Sequence, residues 1–199
     1  MDRRGARDHR RRMLALATGT VVELGSGTGA NFGLYPATVS RVLAVEPEPT
    51  LRALSEEAAT HAPVPVVVFD AVAEGLPFED DSADTVVASL VLCSVADPAQ
   101  ALAECRRVLR PDGMLLFYEH VRSARRLVGL AQDVVTPLWS RAAGGCHPNR
   151  DTVRLIARSG FEVLDADRFG FAPAALSLPF AHVVGAARPA VSSPGDPRR

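Results

Sequence analysis

Short apolar runs of strand length punctuate this chain, with helically spaced apolar positions between them. Val21 to Leu24, Val39 to Val45, Val64 to Phe69, Thr85 to Leu92 and Met114 to Tyr118 have the near-continuous apolar character of strands covered on both faces. Leu51, Leu54 and Ala58 recur at helical spacing, as do Leu102, Cys105, Val108 and Leu109 after the Asp97-Pro98 cap. Leu127, Leu130, Ala131, Val134, Val135 and Leu138 form a longer stripe, which Pro137 is expected to kink or end. Core packing is the expected use of that stripe, with Trp139 and its neighbours as an alternative wall for an apolar substrate pocket. Val153, Ile156 and Ala157 begin another helix, and Gly160 is placed to stop it.

Alternation of this kind predicts an α/β fold: a parallel sheet with helices on both faces. Phe161 to Phe169 and Leu178 to Ala187 break the pattern, being strand-like with no helical spacing between them. They predict an antiparallel pair closing the sheet. The expected organisation is a basic helix or arm over residues 1–18, one domain over 19–190 and a disordered Pro-, Gly- and Arg-containing tail over 191–199.

The first strand runs into Glu23-Leu24-Gly25-Ser26-Gly27-Thr28-Gly29-Ala30. Alternate glycines remove side chains where the chain turns tightly and a ligand meets the backbone. Glu46 closes the second strand about 20 residues after Gly25, the place from which an acid reaches both hydroxyls of a ribose. The spacing Gly25-x-Gly27-x-x-Ala30 also satisfies a dinucleotide fingerprint, so a nicotinamide-dependent oxidoreductase is the rival enzyme class. Glu23 tilts the balance. An anion beside the loop suits a cationic sulfonium better than an anionic pyrophosphate. A chain of 199 residues also leaves little room for a separate substrate domain.

Composition narrows the chemistry. All 22 basic residues are arginine, which excludes Schiff-base chemistry, a lysine-held pyridoxal group and a Walker A loop. The arginine, alanine and valine bias looks like that of a GC-rich bacterial genome, a source expected from composition alone. A net charge of −1 gives no general bias toward nucleic acid. Arg3, Arg4, Arg7, Arg10, Arg11 and Arg12 nevertheless crowd the start, a solvated helix or a peripheral contact for an anionic membrane. Cys93, Cys105 and Cys146 are odd in number and scattered, so neither a disulfide framework nor a metal cluster is expected, and a reducing cytoplasm is the default location. No signal peptide is expected before Ala17, and the apolar stretch 172–187 is broken by Pro173, Pro179 and His182. It predicts two buried segments rather than a membrane span.

From about Val21 to Ala187 the chain resembles class I S-adenosylmethionine-dependent methyltransferases. "VVELGSGTG" is similar to their first motif, "LAVEP" to their second-strand acid, and "AEGLPFEDDSADTVVAS" to their third-to-fourth strand passage. "ALAECRRVLRPDGMLLFYEH" resembles the helix and fifth strand of ubiquinone/menaquinone-type methyltransferases, with "RPDG" for the commoner Arg-Pro-Gly-Gly. More narrowly, "GTGANFGLYP", "LVLCSVADP", "RVLRPDG", "FYEHV" and "GGCHPNRDT" together resemble the methyltransferase-like 7 group of alkyl thiol methyltransferases. Animal members of that group carry a hydrophobic N-terminal anchor where this chain has arginines.

The resemblance implies a Rossmann-like, mostly parallel seven-stranded sheet in three layers, with a C-terminal antiparallel strand. It implies S-adenosylmethionine as cofactor, S-adenosylhomocysteine as product and a small-molecule acceptor, with a thiol favoured over nitrogen, oxygen or phospholipid-headgroup acceptors. By motif position, Glu23, Gly25, Ser26, Gly27, Gly29 and Asn31 surround the methionine end, while Glu46 and Pro47 meet the ribose. Ala73 and Glu74 meet the adenine beside Val72, which stands where many relatives have an aspartate, with Asp70 a weaker candidate. Ser89 and Leu90 face cofactor and substrate.

Direct displacement needs alignment more than elaborate catalysis, and no triad is visible. His120, just after the fifth strand, is the preferred base or thiol-orienting group, with Glu119 either orienting it or closing the strand. His147 is a second catalytic candidate, in a loop able to close over substrate. Cys93 is expected to serve packing, and Cys146 either packing or the pocket wall.

Overall fold

The computed structural model describes residues 5–171 and 180–190. The predicted disordered tail and the first apolar segment after Phe171 lie outside them, as do Arg3 and Arg4. Seven strands form one sheet: β1 Gly19–Leu24, β2 Val39–Val45, β3 Val66–Phe69, β4 Ala83–Ser89, β5 Leu109–His120, β6 Phe161–Phe171 and β7 Phe180–Pro189. Among the described residues five α-helices accompany them: α1 Ala6–Leu14, α2 Pro49–Ala59, α3 Pro98–Val108, α4 Arg126–Ala142 and α5 Thr152–Arg158. The strand order is β3-β2-β1-β4-β5-β7-β6. β1 to β5 pair in parallel, and β7 runs antiparallel to both β5 and β6.

Successive residues of the central strands feed opposite faces, which is why those strands are apolar throughout. Val22, Val86, Leu115 and Phe117 join a core covered by α3 and α5 through Leu102, Cys105 and Ile156. Val21, Val87, Leu116 and Tyr118 face the other core, which α1 covers with Met13 and Leu14 and the Phe32–Leu34 turn with Phe32. Each fully buried side chain of this size contributes about 1.5–3 kcal/mol.

The order reverses between β1 and β4, and Leu24 lies opposite Ala88. The Gly25 loop and Ser89 therefore leave the sheet side by side, at the switch point where ligands enter such folds.

Several boundaries differ from the sequence pattern: Leu109, which the helical spacing assigns to α3, instead opens β5, and that strand runs on to His120. β3 begins at Val66 because Pro65 has no N–H for the ladder. β4 ends at Ser89, since Leu90 turns to a left-handed φ of 61°. α4 continues through Pro137 to Ala142. The α4 stripe also does not pack as expected: Leu127, Val134 and Leu138 are 81%, 80% and 73% exposed among the described residues. No helix of the described residues is long and apolar enough to cross a membrane.

Candidate active site

Three left-handed glycines shape the loop after β1, with φ values of 53° at Gly25, 58° at Gly27 and 71° at Gly29. Their reasons differ. A Cβ on Gly29 would stand 2.6 Å from the Ala58 Cβ of α2, so Gly29 lets the loop pack on that helix. A Cβ on Gly27 would meet nothing within 4 Å and would project into open space. Ser26 and Ser55, both buried, share a 2.7 Å hydrogen bond that ties the loop to α2.

Two cavities meet at this loop and share Gly25, Gly27 and Leu90. The larger, about 550 Å³, is walled by Glu46, Pro47, Val72, Ala73 and Glu74, with Leu51 and Val91 adding apolar surface. The smaller, about 230 Å³, is lined by Glu23, Ser26, Asn31 and Ser89 together with Arg10 of α1. Of the cofactor residues expected from motif position, Gly29 lines neither. Asp70 lies outside both and pairs with Arg52 at 3.0 Å.

The carboxylates are already organised. Glu46 accepts from the N–H groups of Gly27 (2.8 Å, Oε2) and Glu48 (3.1 Å, Oε1), leaving a further lone pair on each oxygen. Glu23 is 1% exposed and accepts from Asn31 Nδ2 at 2.9 Å and the Tyr35 hydroxyl at 2.6 Å. Burial pushes its carboxyl up to about 7, although Tyr35, Asn31 and the charge of Arg10 pull the other way. Asn31 Oδ1 is buried without a hydrogen-bond partner.

An orphaned acceptor, a carboxylate and a guanidinium in one small cavity suit the ammonium and carboxylate of an amino-acid end. A larger cavity with an acid at its rim and Val72 and Ala73 as walls suits a nucleoside. Arg10 was not singled out from the sequence. Its signal lay in the spacing Ala6, Arg10, Met13, which places it on the buried face of α1.

His120 and His147 line neither of these cavities. His120 Nδ1 lies 3.6 Å from Cys93 Sγ and 3.5 Å from Cys146 Sγ, and the sulfurs are 3.7 Å apart. The cysteines scattered in sequence thus converge on the histidine, and Cys93 does more than fill space. The hydrogen bond shared with Cys93 and the neighbouring His120 make Cys146 the more acidic thiol, whereas the same bond and burial push Cys93 up. His147 Nδ1 is 2.6 Å from the Gly145 carbonyl, and the His147 backbone N–H donates to the Cys93 carbonyl at 2.7 Å. That geometry fastens the 143–147 loop to the segment after β4.

Glu119 does not orient His120. Wholly buried, it accepts from the N–H groups of Val91 (2.9 Å), Leu92 (2.9 Å) and Cys93 (3.1 Å), with its carboxyl raised by burial to about 7. Its signal was a charge inside an apolar strand, which demands partners. Leu90, strained into its left-handed turn, aims these three N–H groups at it.

Known proteins share both fold and sequence with this chain. The methyltransferase-domain family matches residues 22–117. Human thiol S-methyltransferase TMT1A is 33% identical over 172 residues, covering 83% of this chain and 69% of that protein. Rat thiol S-methyltransferase TMT1B is 40% identical over 147 residues, covering 71% of this chain, which spans only 59% of that protein's length. Among solved structures, a Bacillus halodurans protein described as a methyltransferase superposes with a TM-score of 0.76 at 14% identity, covering 94% of this chain and 100% of that one. The cyclase SpnF superposes at 0.70 with 18% identity over 94% of this chain and 80% of its own, so the fold alone does not fix the reaction. The sequence relationship does fix the family: the chain belongs to the methyltransferase-domain proteins, in the group that contains thiol S-methyltransferases TMT1A and TMT1B.

Proposed function

We propose that this protein transfers the methyl group of S-adenosylmethionine to the sulfur of a small thiol. The observation carrying this reading is the pair of cavities joined at Gly25, Gly27 and Leu90, with Glu46 at one end and Glu23, Asn31 and Arg10 at the other. When bound, the cofactor supplies an electrophilic methyl on a cationic sulfur. Glu46 is placed to take ribose hydroxyls, and Val72 and Ala73 to flank the base. Asn31 Oδ1 and Glu23 are placed to take the ammonium, and Arg10 the carboxylate. Gly27, bare of a Cβ, lets the cofactor lie against the backbone.

A thiol is the acceptor favoured by kinship with TMT1A and TMT1B. Proximity and alignment are worth about 7–11 kcal/mol in favourable cases, so the walls at Ser89 and Leu90 carry much of the work by fixing the approach. His120 is the group we assign to orient the acceptor sulfur, acting together with the two cysteines on its Nδ1. Methyl-labelled cofactor offered with a panel of small thiols, amines and alcohols tests the reading. Label is expected in thioethers; label confined to amines or alcohols would move the acceptor, and no label anywhere would leave only a binding protein.

A further inference from the structure

Cys93 and Cys146 stand 53 positions apart in the chain, yet they and His120 form a closed triangle of soft donors. Its edges are 3.7 Å between the sulfurs and 3.6 and 3.5 Å from Cys93 and Cys146 to His120 Nδ1. Zinc holds sulfur at about 2.3 Å and imidazole nitrogen at about 2.0–2.1 Å, so a tetrahedral arrangement sets sulfurs about 3.8 Å apart and sulfur from nitrogen about 3.6 Å. The triangle has these dimensions. Hydrogen bonding accounts for it poorly, because an imidazole nitrogen has one proton or one in-plane lone pair and here faces two sulfurs at nearly equal distance.

The backbone around the donors is fixed. Cys93 is held by Glu119 at its N–H and by His147 at its carbonyl, and the Cys146 N–H is bound to the Ala143 carbonyl at 3.1 Å. Such outer support is what a metal site needs to keep its ligands oriented. Cys93 is 1% and Cys146 6% exposed, while His120 is half-buried.

We propose that Cys93, Cys146 and His120 form a three-ligand zinc site whose fourth position takes an incoming thiolate. The metal site stands on the triangle alone; the fourth position as the acceptor's seat rests on the thiol-methyltransferase reading. A thiol arriving there binds zinc through sulfur and releases its proton to solvent, which ionises it near neutral pH without a separate base.

Metal content and cobalt substitution test the site without reference to turnover. The full chain, purified without chelator, is expected to carry one zinc by elemental mass spectrometry. After chelation, one equivalent of cobalt(II) is expected to give tetrahedral visible bands and a sulfur-to-cobalt charge-transfer band. Cys146→Ser and His120→Gln abolish that spectrum, while Cys105→Ala retains it, with folding checked by circular dichroism. 2-Mercaptoethanol then shifts the charge-transfer band if the fourth position takes a thiolate, and an unchanged band removes that half of the proposal. Wild-type protein lacking stoichiometric zinc and giving no tetrahedral cobalt spectrum overturns the site, as does a Cys93–Cys146 disulfide in freshly purified protein. Methyl transfer to thiols by metal-free protein would leave the function intact and sink the metal's part in it.

Discussion

Burial raises the Glu23 carboxyl to about 7, and that group couples the methionine end of the site to pH. A carboxyl raised in the folded state favours folding fully below its ordinary value of 4.5, and that contribution disappears as pH climbs to about 7. Ligand-free wild type is therefore expected to lose thermal stability across this interval relative to Glu23→Gln, whose amide cannot ionise. Parallel melting curves for the two proteins would refute the assignment. The ammonium of the cofactor prefers the ionised carboxylate, so cofactor affinity should rise over the same range in wild type only. Glycine substitutions separate packing from binding in this loop. An alanine in the left-handed region costs about 1–2 kcal/mol wherever it sits. Gly29→Ala adds a clash with Ala58 and is expected to lower the melting temperature most, whereas Gly27→Ala, with open space before it, is expected chiefly to weaken cofactor binding. Calorimetry beside thermal melts distinguishes the two; equal effects on both readouts would contradict this division.

Strand ends and the segments that follow them make the site. The β4 segment beyond Ser89 is held by Glu119 of the neighbouring strand, whose carboxylate takes three backbone N–H groups. Glu119→Ala orphans these donors, each costing about 1–3 kcal/mol where water cannot replace the lost partner. We expect hydrogen exchange at Val91, Leu92 and Cys93 to accelerate while β1 and β2 remain protected. Unchanged protection at those amides would show that the loop holds itself. Farther along, Asp97 caps α3 by accepting from the N–H groups of Ala99 and Gln100, both at 3.0 Å. Asp97→Ala is expected to cost about 0.5–2 kcal/mol in denaturant unfolding and to leave cofactor affinity unchanged. A large loss of affinity would instead place the cap within the site.

Across the whole molecule, what the sequence revealed was what lies close together along it. The apolar runs of β1 and β2, the Asp97-Pro98 cap and the Gly25 loop are local features, and each fell where its pattern placed it. Glu46 was legible because a fixed crossover returns the chain to the strand beside β1. Cys93, His120 and Cys146 were not, because only the strand order brings three separate segments to one edge. The α4 stripe shows a different limit: Leu127, Val134 and Leu138 reveal an amphipathic face, but spacing cannot say what covers it. Glu119 and Arg10 carried weaker signals, each a charge at an apolar position.

The most direct test of the account is calorimetric titration with S-adenosylhomocysteine and, separately, with NAD. One molecule of S-adenosylhomocysteine should bind per chain, and Glu46→Ala should weaken it about tenfold to a hundredfold, the loss of one or two bonds to a charged acceptor. Binding of NAD in its place, or S-adenosylhomocysteine binding indifferent to Glu46, would contradict it.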